Sequence, residues 1–466
     1  MSKNQQQIGY LPDERPPIWK LLLYAIQQVI VMFPATVAVA IITGFHISTT
    51  IFASGLATIC FILVTGRKIP LYYGSSFSYV AAIGSLMASE ALAGNTLNER
   101  IAIAQFGIVM SGLISIAAGL IIKRFGRDSI EKILPASITG PIAMVIGLTL
   151  AGTALTDAQS FANAINVPEA QTALANNMAW IVSLVTLLST ILFSVHFKGF
   201  LGQLPLLLGP ALGCLTAFII NLTTGINLFK VLPETANSGF FALPIFTLPI
   251  PNWAAVAALM PIAIATIPES TAHVYQLDIY VNDLAKKKKS GKKYDIADRL
   301  GHNLIGDGIG DIVAGFIGGP AGTNYGENIS AMAITRVFSI PVLIAAAIIA
   351  MIISCFTPLI NAIYAIPTAV IGGLEIYLFG AIAAQGIAIM VEKKVDLFSS
   401  KNIALIATIM IIGLGGQFAF GGNIPFFGLE VPCVAGAAIF GIILNILLGI
   451  GDKKKAPVEE KGPKLG

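Results

Sequence analysis

The chain has 466 residues, of which 56% are hydrophobic and 11% charged, with a formal net charge of +4 and a mean hydropathy of +0.83. Soluble proteins carry roughly 25% charged residues. A soluble domain of this length cannot hide so much apolar surface, so the class indicated is a polytopic membrane protein.

In chain order, residues 1–17 form a polar, Pro-containing tail without a cleavable signal pattern, and insertion is expected to rely on the first spanning helix. A spanning helix needs about 20 mostly apolar residues. In the first half such segments fall near 18–43, 47–65, 70–90, 101–123, 131–154, 178–197 and 204–222. In the second they fall near 253–275, 296–316, 323–336, 338–359, 363–390, 403–420 and 430–449, before a tail at 450–466. Polar and glycine residues dilute the third, ninth and tenth. Cys60, Cys214, Cys355 and Cys433 fall inside or beside these segments at spacings of neither a zinc site nor a disulfide framework, and read as small packing residues.

Of the 28 Lys and Arg residues, only Arg100 and Lys230 fall in loops that follow odd-numbered segments. The others lie in the termini, or in or beside loops that follow even-numbered ones, such as Arg67, Lys68, Lys286–Lys289, Lys393 and Lys394. Cytoplasmic loops carry the Lys/Arg excess, so both termini are expected in the cytoplasm. The run at Lys286–Lys289 needs no lipid or nucleic-acid partner, because a topogenic loop accounts for it.

Fourteen segments divide into seven plus seven, and an odd number per half inverts the second half. The third and tenth then correspond, and both are interrupted: by Tyr72-Tyr73-Gly74-Ser75-Ser76-Phe77-Ser78-Tyr79 and by the run from Gly318 to Glu327. Paired broken segments at matching positions point to a transporter's binding site. Their Tyr, Phe, Ser and Thr residues suit short strands, whose backbone N–H groups would be available to ligand carbonyls.

The fold class expected is therefore all-α and polytopic, a 7+7 inverted repeat with short β-strands in the two breaks. Late in the eighth segment, Pro268 is expected to break the helix ladder just before Glu269. Glu269 and His273 are four residues apart and share one helix face. A carboxylate accepts N–H donors and an imidazole exchanges protons in the physiological range. Glu327 directly follows the second break. Two acceptors with free backbone donors suit a small planar ligand bearing N–H and C=O groups, such as a nucleobase, whereas two glutamates would repel a simple anion.

Asp307 and Asp311 stand in Gly306-Asp307-Gly308-Ile309-Gly310-Asp311. A dinucleotide site would need a βαβ setting and a glycine where Asp311 stands. Two roles remain open to these aspartates: bonding backbone freed by the breaks, or relaying protons. Glu375 is a further carboxylate inside a hydrophobic segment. No metal or cofactor is expected. An enzyme would want a nucleophile or metal cluster, and a channel a continuous polar stripe; the sequence has neither.

Glu327-Asn328-x-Ser330-x-x-x-x-Thr335-Arg336 resembles the signature of the nucleobase–ascorbate transporter family. Thr323 to Ile329, Gln27 to Thr36, Gly74 to Phe77 and Glu269 to His273 resemble its bacterial uracil-permease branch. The resemblance implies a core domain (18–123 and 253–359) and a gate domain (131–222 and 363–449), the core moving against the gate in a homodimer. It implies that Glu269 and Glu327 bind the base and that backbone amides at Phe77 and Gly326 meet its carbonyls. Ala35 and Tyr325 would line the pocket, and His273 would join Glu269 in proton coupling. Ser330, Gln28 and Pro34 depart from the common glycine, histidine and glycine, and Phe379 stands in place of a gate tyrosine; these bear on pocket shape and substrate range more than on fold. The function expected is import of uracil through a bacterial inner membrane by symport with a cation, a proton before sodium. The nearest alternative is a xanthine or purine carrier of the same fold. An anion transporter of the sulfate or bicarbonate type would call for basic groups at the breaks.

Overall fold

The computed structural model describes residues 9–450 apart from 90–91, 127–132, 200, 234–238 and 428. Residues 1–8, the tail at 451–466 with its lysines, and the first residues of the segment expected from 131 lie outside the described residues.

The chain is mostly helical. The first half runs α1 (Ile18–Thr43), α2 (Ile47–Val64), β1 (Tyr73–Ser75), a 3-10 turn (Phe77–Tyr79), α3 (Val80–Ala88), α4 (Leu97–Phe125), α5 (Ala136–Thr149), α6 (Ala151–Ala158), β2 (Ala164–Asn166), α7 (Thr172–His196), α8 (Pro205–Thr224) and β3 (Asn227–Lys230). The second runs α9 (Trp253–Leu259), α10 (Ile262–Lys287), α11 (Leu300–Ile317), β4 (Gly322–Asn324), α12 (Gly326–Thr335), α13 (Ile340–Ile353), α14 (Thr357–Tyr364), α15 (Thr368–Glu392), α16 (Ser400–Phe420), β5 (Asn423–Phe426), β6 (Leu429–Pro432) and α17 (Cys433–Gly449).

Among the described residues, nine helices or joined helix pairs are long and apolar enough to cross a membrane, and three shorter apolar helices accompany them. The segments expected at 296–316 and 323–336 are in neither group. The first is α11, diluted by aspartates and glycines; the second is a strand followed by ten helical residues. Polar helix ends also lie beyond what apolar windows detect. α4 starts four residues early because Thr96 and Glu99 form a capping box, Glu99 accepting the Thr96 amide at 2.8 Å. The expectation at Pro268 needs correction: α10 continues through it to Lys287. Proline removes one ladder bond, and packed membrane helices tolerate that where neighbours surround the gap.

Packing falls into two groups of elements. α1, α2 and α11 pack against the β1–β4 pair, with α4 on α11 and α13 on α1 and α2, whereas α15 packs on α5, α6 and α7, α7 on α8, and α16 on α5 and α17. α10 borders both groups, touching α4 and α12 on one side and α5 and α17 on the other. α4 packs along α11 through facing glycines. Gly112 and Gly119 of α4 face Gly308 and Gly301 of α11, and a β-carbon at Gly112 or Gly119 would lie 2.5 or 2.6 Å from the opposite carbonyl. Small residues allow such backbone approach between membrane helices. The glycines flanking Asp307 are therefore packing surfaces.

The segment just before α1 is docked. Phe338 donates its amide to Tyr10 O (2.8 Å), and Tyr10 donates to Arg336 O (2.9 Å). Lys288 donates to Glu14 at 2.6 Å, Lys292 pairs with Asp13, and the Tyr294 hydroxyl donates to Asp13 at 2.6 Å. The lysine-rich loop thus holds the N-terminal segment. Burial pushes the Asp13 carboxyl up, but hydrogen bonds from Lys292 and Tyr294 outweigh it and hold the group below its ordinary range. The four cysteines are unpaired thiols.

Candidate functional site

The two breaks meet as an antiparallel strand pair, Tyr73 opposite Asn324, Gly74 opposite Thr323 and Ser75 opposite Gly322. Ser76 N to Ala321 O (2.9 Å) and Tyr325 N to Tyr72 O (3.0 Å) extend the ladder at both ends. Non-helical backbone is tolerated at membrane depth only where protein or a water-filled cavity surrounds it. Here each strand satisfies the other, and Ser54 and Thr58 of α2 both donate to Tyr73 O at 2.9 Å. The Tyr325 ring lies across Gly74, where any β-carbon would strike it. Its hydroxyl donates to Ser75 O (3.0 Å) and meets the Thr36 hydroxyl of α1 at 2.9 Å.

Behind the pair, Asp311 accepts the Tyr73 hydroxyl (2.6 Å) and the Gly322 amide (2.8 Å). Asp307 accepts from Ser270 (2.7 Å), Asn303 (3.0 Å) and Asn324 (2.8 Å). Asp311 thus bonds one backbone amide of the break, while the Asp307 carboxylate bonds side chains alone. Asn328 fixes the start of α12 to α1, its amide donating to Gln28 Oε1 (2.8 Å) and Gln28 O (3.0 Å).

In front of the pair lies a cavity of about 310 Å³. Ser75 and Phe77 come from the first break; Thr323, Asn324, Tyr325, Gly326, Glu327 and Ser330 come from the second. α10 contributes Glu269 and His273, and α15 contributes Gln385. Phe77 opens the 3-10 turn and Gly326 opens α12, positions whose N–H groups have no intrahelical acceptor. The Ser78 hydroxyl lies beside the Glu269 carboxylate. A β-carbon at Gly326 would come within 2.9 Å of His273 Nε2, so the imidazole stands over the start of α12. His273 Nδ1 and the Thr323 hydroxyl are buried without a protein partner. Buried polar groups ordinarily have partners, so unpaired ones on a cavity wall point to water or ligand.

Of the residues singled out in the sequence, Phe77, Glu269, His273, Tyr325, Gly326 and Glu327 come together here. Ala35 does not line the cavity: it is buried in the core beside Thr36. Phe379 is packed with Val39, Val80, Leu374 and Leu378. Glu375 is fully buried one turn before it, both carboxylate oxygens unpartnered. Ser75, Thr323, Asn324, Ser330 and Gln385 were not expected as lining. The first four stand in quoted motifs, but strand register orients Ser75, Thr323 and Asn324, and the turn of α12 orients Ser330; Gln385 stands in none.

A second cavity, about 750 Å³, lies along the same two helices. It is lined by Pro268, Thr271, Ala272, Tyr275 and Gln276 of α10, Ile389 and Glu392 of α15, and Lys393, Lys394 and Asp396 beyond α15.

Residues 19–422 match the model of the Permease family (Xan_ur_permease). The chain is 33% identical to the uracil permease of Bacillus caldolyticus over 442 residues, 94% of each protein. It is 31% identical to that of Bacillus subtilis (strain 168), over 99% of each, and 31% identical to that of Escherichia coli (strain K12), over 93% of this chain and 92% of the other. Among solved structures, murine Slc26a9, an anion transporter in the inward-facing state, superposes with a TM-score of 0.65 at 14% identity, covering 97% of this chain and 73% of that one. The transmembrane domain of the cyanobacterial bicarbonate transporter BicA superposes with a TM-score of 0.58 at 15% identity, covering 94% of this chain and all of that one. At such identities the likeness concerns the fold, an inverted-repeat transporter architecture.

Proposed function

The chain belongs to the Permease family, a multi-pass transporter of the bacterial membrane, and from that premise we propose that it imports uracil by symport with a cation, the cation being a proton. The observation that carries this reading is the cavity where both broken segments converge. It sets two carboxylates, an imidazole and two helix-initial amides around one small space. Carboxylates accept the N–H groups of a pyrimidinedione, and free amides donate to its carbonyls. Relatives that share about a third of their residues over nearly their whole length are named uracil permeases.

The anion transporters share the fold, but the cavity wall holds two carboxylates and no Lys or Arg among the described residues, which favours a neutral N–H-bearing ring. A xanthine carrier remains the alternative within the family.

In the proposed cycle, Glu269 and His273 take up the proton as the base binds against Glu327 and the strand pair. The elements packed around that pair form the core, and α5–α8 with α15–α17 form the gate. The loaded core shifts against the gate along α10, which borders both. The larger cavity supports release on the side carrying Lys393 and Lys394, and the Lys/Arg pattern supports reading that side and both termini as cytoplasmic. Homodimerisation belongs to the same proposal and has the family resemblance as its support.

The test is uptake of radiolabelled uracil into proteoliposomes under an inward proton gradient. Accumulation should collapse with an uncoupler and resist excess xanthine. Glu269→Gln should abolish gradient-driven accumulation. Uptake that survives the uncoupler but needs sodium would replace the proton, and full inhibition by xanthine would replace the substrate.

A further inference from the structure

We propose that Gln385 is a substrate-contacting residue supplied from the opposite side of the cavity, so that bound base links α15 to the strand pair. The inference rests on the function proposed above and adds to it a residue on the gate side. Ten of the eleven lining residues belong to α10 and the two broken segments; Gln385 alone belongs to α15. It stands within Ala383-Ala384-Gln385-Gly386-Ile387, an otherwise apolar stretch of a helix long enough to cross the membrane. Its side chain is exposed and has no hydrogen-bond partner among the described residues.

An amide facing lipid at this depth would be costly, whereas one facing a water-filled cavity or a ligand is satisfied. The helix face decides between these. Ile389 and Glu392, four and seven residues on, line the larger cavity, so Gln385 shares the face turned toward the opening.

The chemistry is complementary to what the other wall lacks. Glu269 and Glu327 offer acceptors and the helix-initial amides offer donors, but all these groups belong to one side of the cavity. A carboxamide offers a donor and an acceptor together. It therefore fits either a ring N–H or a ring carbonyl on the edge turned away from the strand pair. A contact made only while α15 lies near would favour that arrangement by its differential affinity.

The experiment uses full-length protein and radiolabelled uracil, measuring equilibrium binding and proteoliposome uptake for Gln385→Leu and Gln385→Glu. Gln385→Leu should weaken uracil binding about three- to tenfold, the range of one neutral hydrogen bond, without lowering the thermal midpoint. Gln385→Glu should lose more, because it adds a third carboxylate to the cavity. In parallel, Gln385→Cys is labelled with a membrane-impermeant thiol reagent, the parent with its own cysteines serving as background. Saturating uracil should slow that labelling several-fold. Unchanged affinity in a well-folded Gln385→Leu protein overturns the inference, as does labelling that ignores uracil, a readout that stands if the Leu variant does not fold. A parent that binds no uracil removes the proposed function and this inference together, which separates that failure from a failure of Gln385 alone.

Discussion

Two pairs of carboxylates flank the same strand pair, and their surroundings differ in kind. Asp307 and Asp311 stand behind it, together accepting five hydrogen bonds from Ser270, Asn303, Asn324, Tyr73 and the Gly322 amide. Glu269 and Glu327 stand in front, half-buried on a cavity wall, with the Ser78 hydroxyl beside Glu269. A buried acid whose acceptors are filled by the protein holds structure. One whose acceptors face open space is left for a ligand or a proton. The same residue types, within sixty residues of sequence, are thereby sorted by their partners.

The largest expected effect is on the filled pair. Asp311→Ala would orphan the Gly322 amide in the interior, at about 1–3 kcal/mol, and would leave the Tyr73 hydroxyl its 3.1 Å bond to Asp307 O in place of a bond to a charged group worth about 1.5–3 kcal/mol. A total of about 2–6 kcal/mol should leave little monodisperse protein in detergent by fluorescence-detected size exclusion. Asp311→Asn keeps one acceptor oxygen and should recover most of it. If the Ala variant folds normally and only transport fails, Asp311 belongs to the working pair and the division collapses.

The open pair should respond the opposite way. Glu327→Gln should fold with an unchanged thermal midpoint yet bind uracil about ten- to a hundredfold more weakly, the range for a hydrogen bond to a charged group. A variant that instead unfolds would show that Glu327 supports the strand pair, as the aspartates do.

Glu375 fits neither pair, since it is sealed from water and has no partner for either oxygen. Burying a carboxyl group without partners is costly. Glu375→Gln should therefore be at least as stable as the parent, with uracil uptake within about twofold, because exchanging an unpaired polar group leaves few contacts to lose. A loss of uptake with intact binding would make it a second protonation site in the gate.

How much of this was legible beforehand follows the range of the interactions involved. The two breaks, the Glu269–His273 face and the Glu327 motif are local patterns, and all of them reached the cavity. The aspartates were found but left between two roles, because their partners Tyr73, Ser270 and Asn324 come from three other segments. Gly301, Gly308 and Gly315 recur every seven residues and could have announced the α4 packing face. Gln385 could not have been found by motif. Only the tertiary packing of α15 sets which of its faces lines the cavity. Ala35 and Phe379 came from resemblance alone, and both are packed in the core.

The smallest effect expected lies outside the membrane, where Asp13 and Glu14 meet Lys292 and Lys288. Here the acids are filled, as behind the strands, but the Asp13–Lys292 pair stands in water, and exposed ion pairs contribute little. The hydrogen bond to Asp13 raises the Lys292 ammonium above its ordinary range, while Asp13 is held below its own. A depressed carboxyl stabilises above its unfolded value, about 3.9, and loses that only as pH falls through its folded value. A raised ammonium stabilises below its unfolded value, about 10.4, and loses that only as pH climbs through its folded value. Between those limits the pair's contribution is constant. Asp13→Asn should therefore speed amide hydrogen exchange at Tyr10 and Leu11 by about two- to fivefold, and that ratio should stay flat from about pH 5 to 9. Salt at 1 M, with a screening length of about 3 Å, should shrink it. The Lys288–Glu14 bond survives the substitution, which keeps the segment docked and the effect small. A ratio that fades within that pH range would mean that a group titrating there, and not the Asp13–Lys292 pair, holds the segment down.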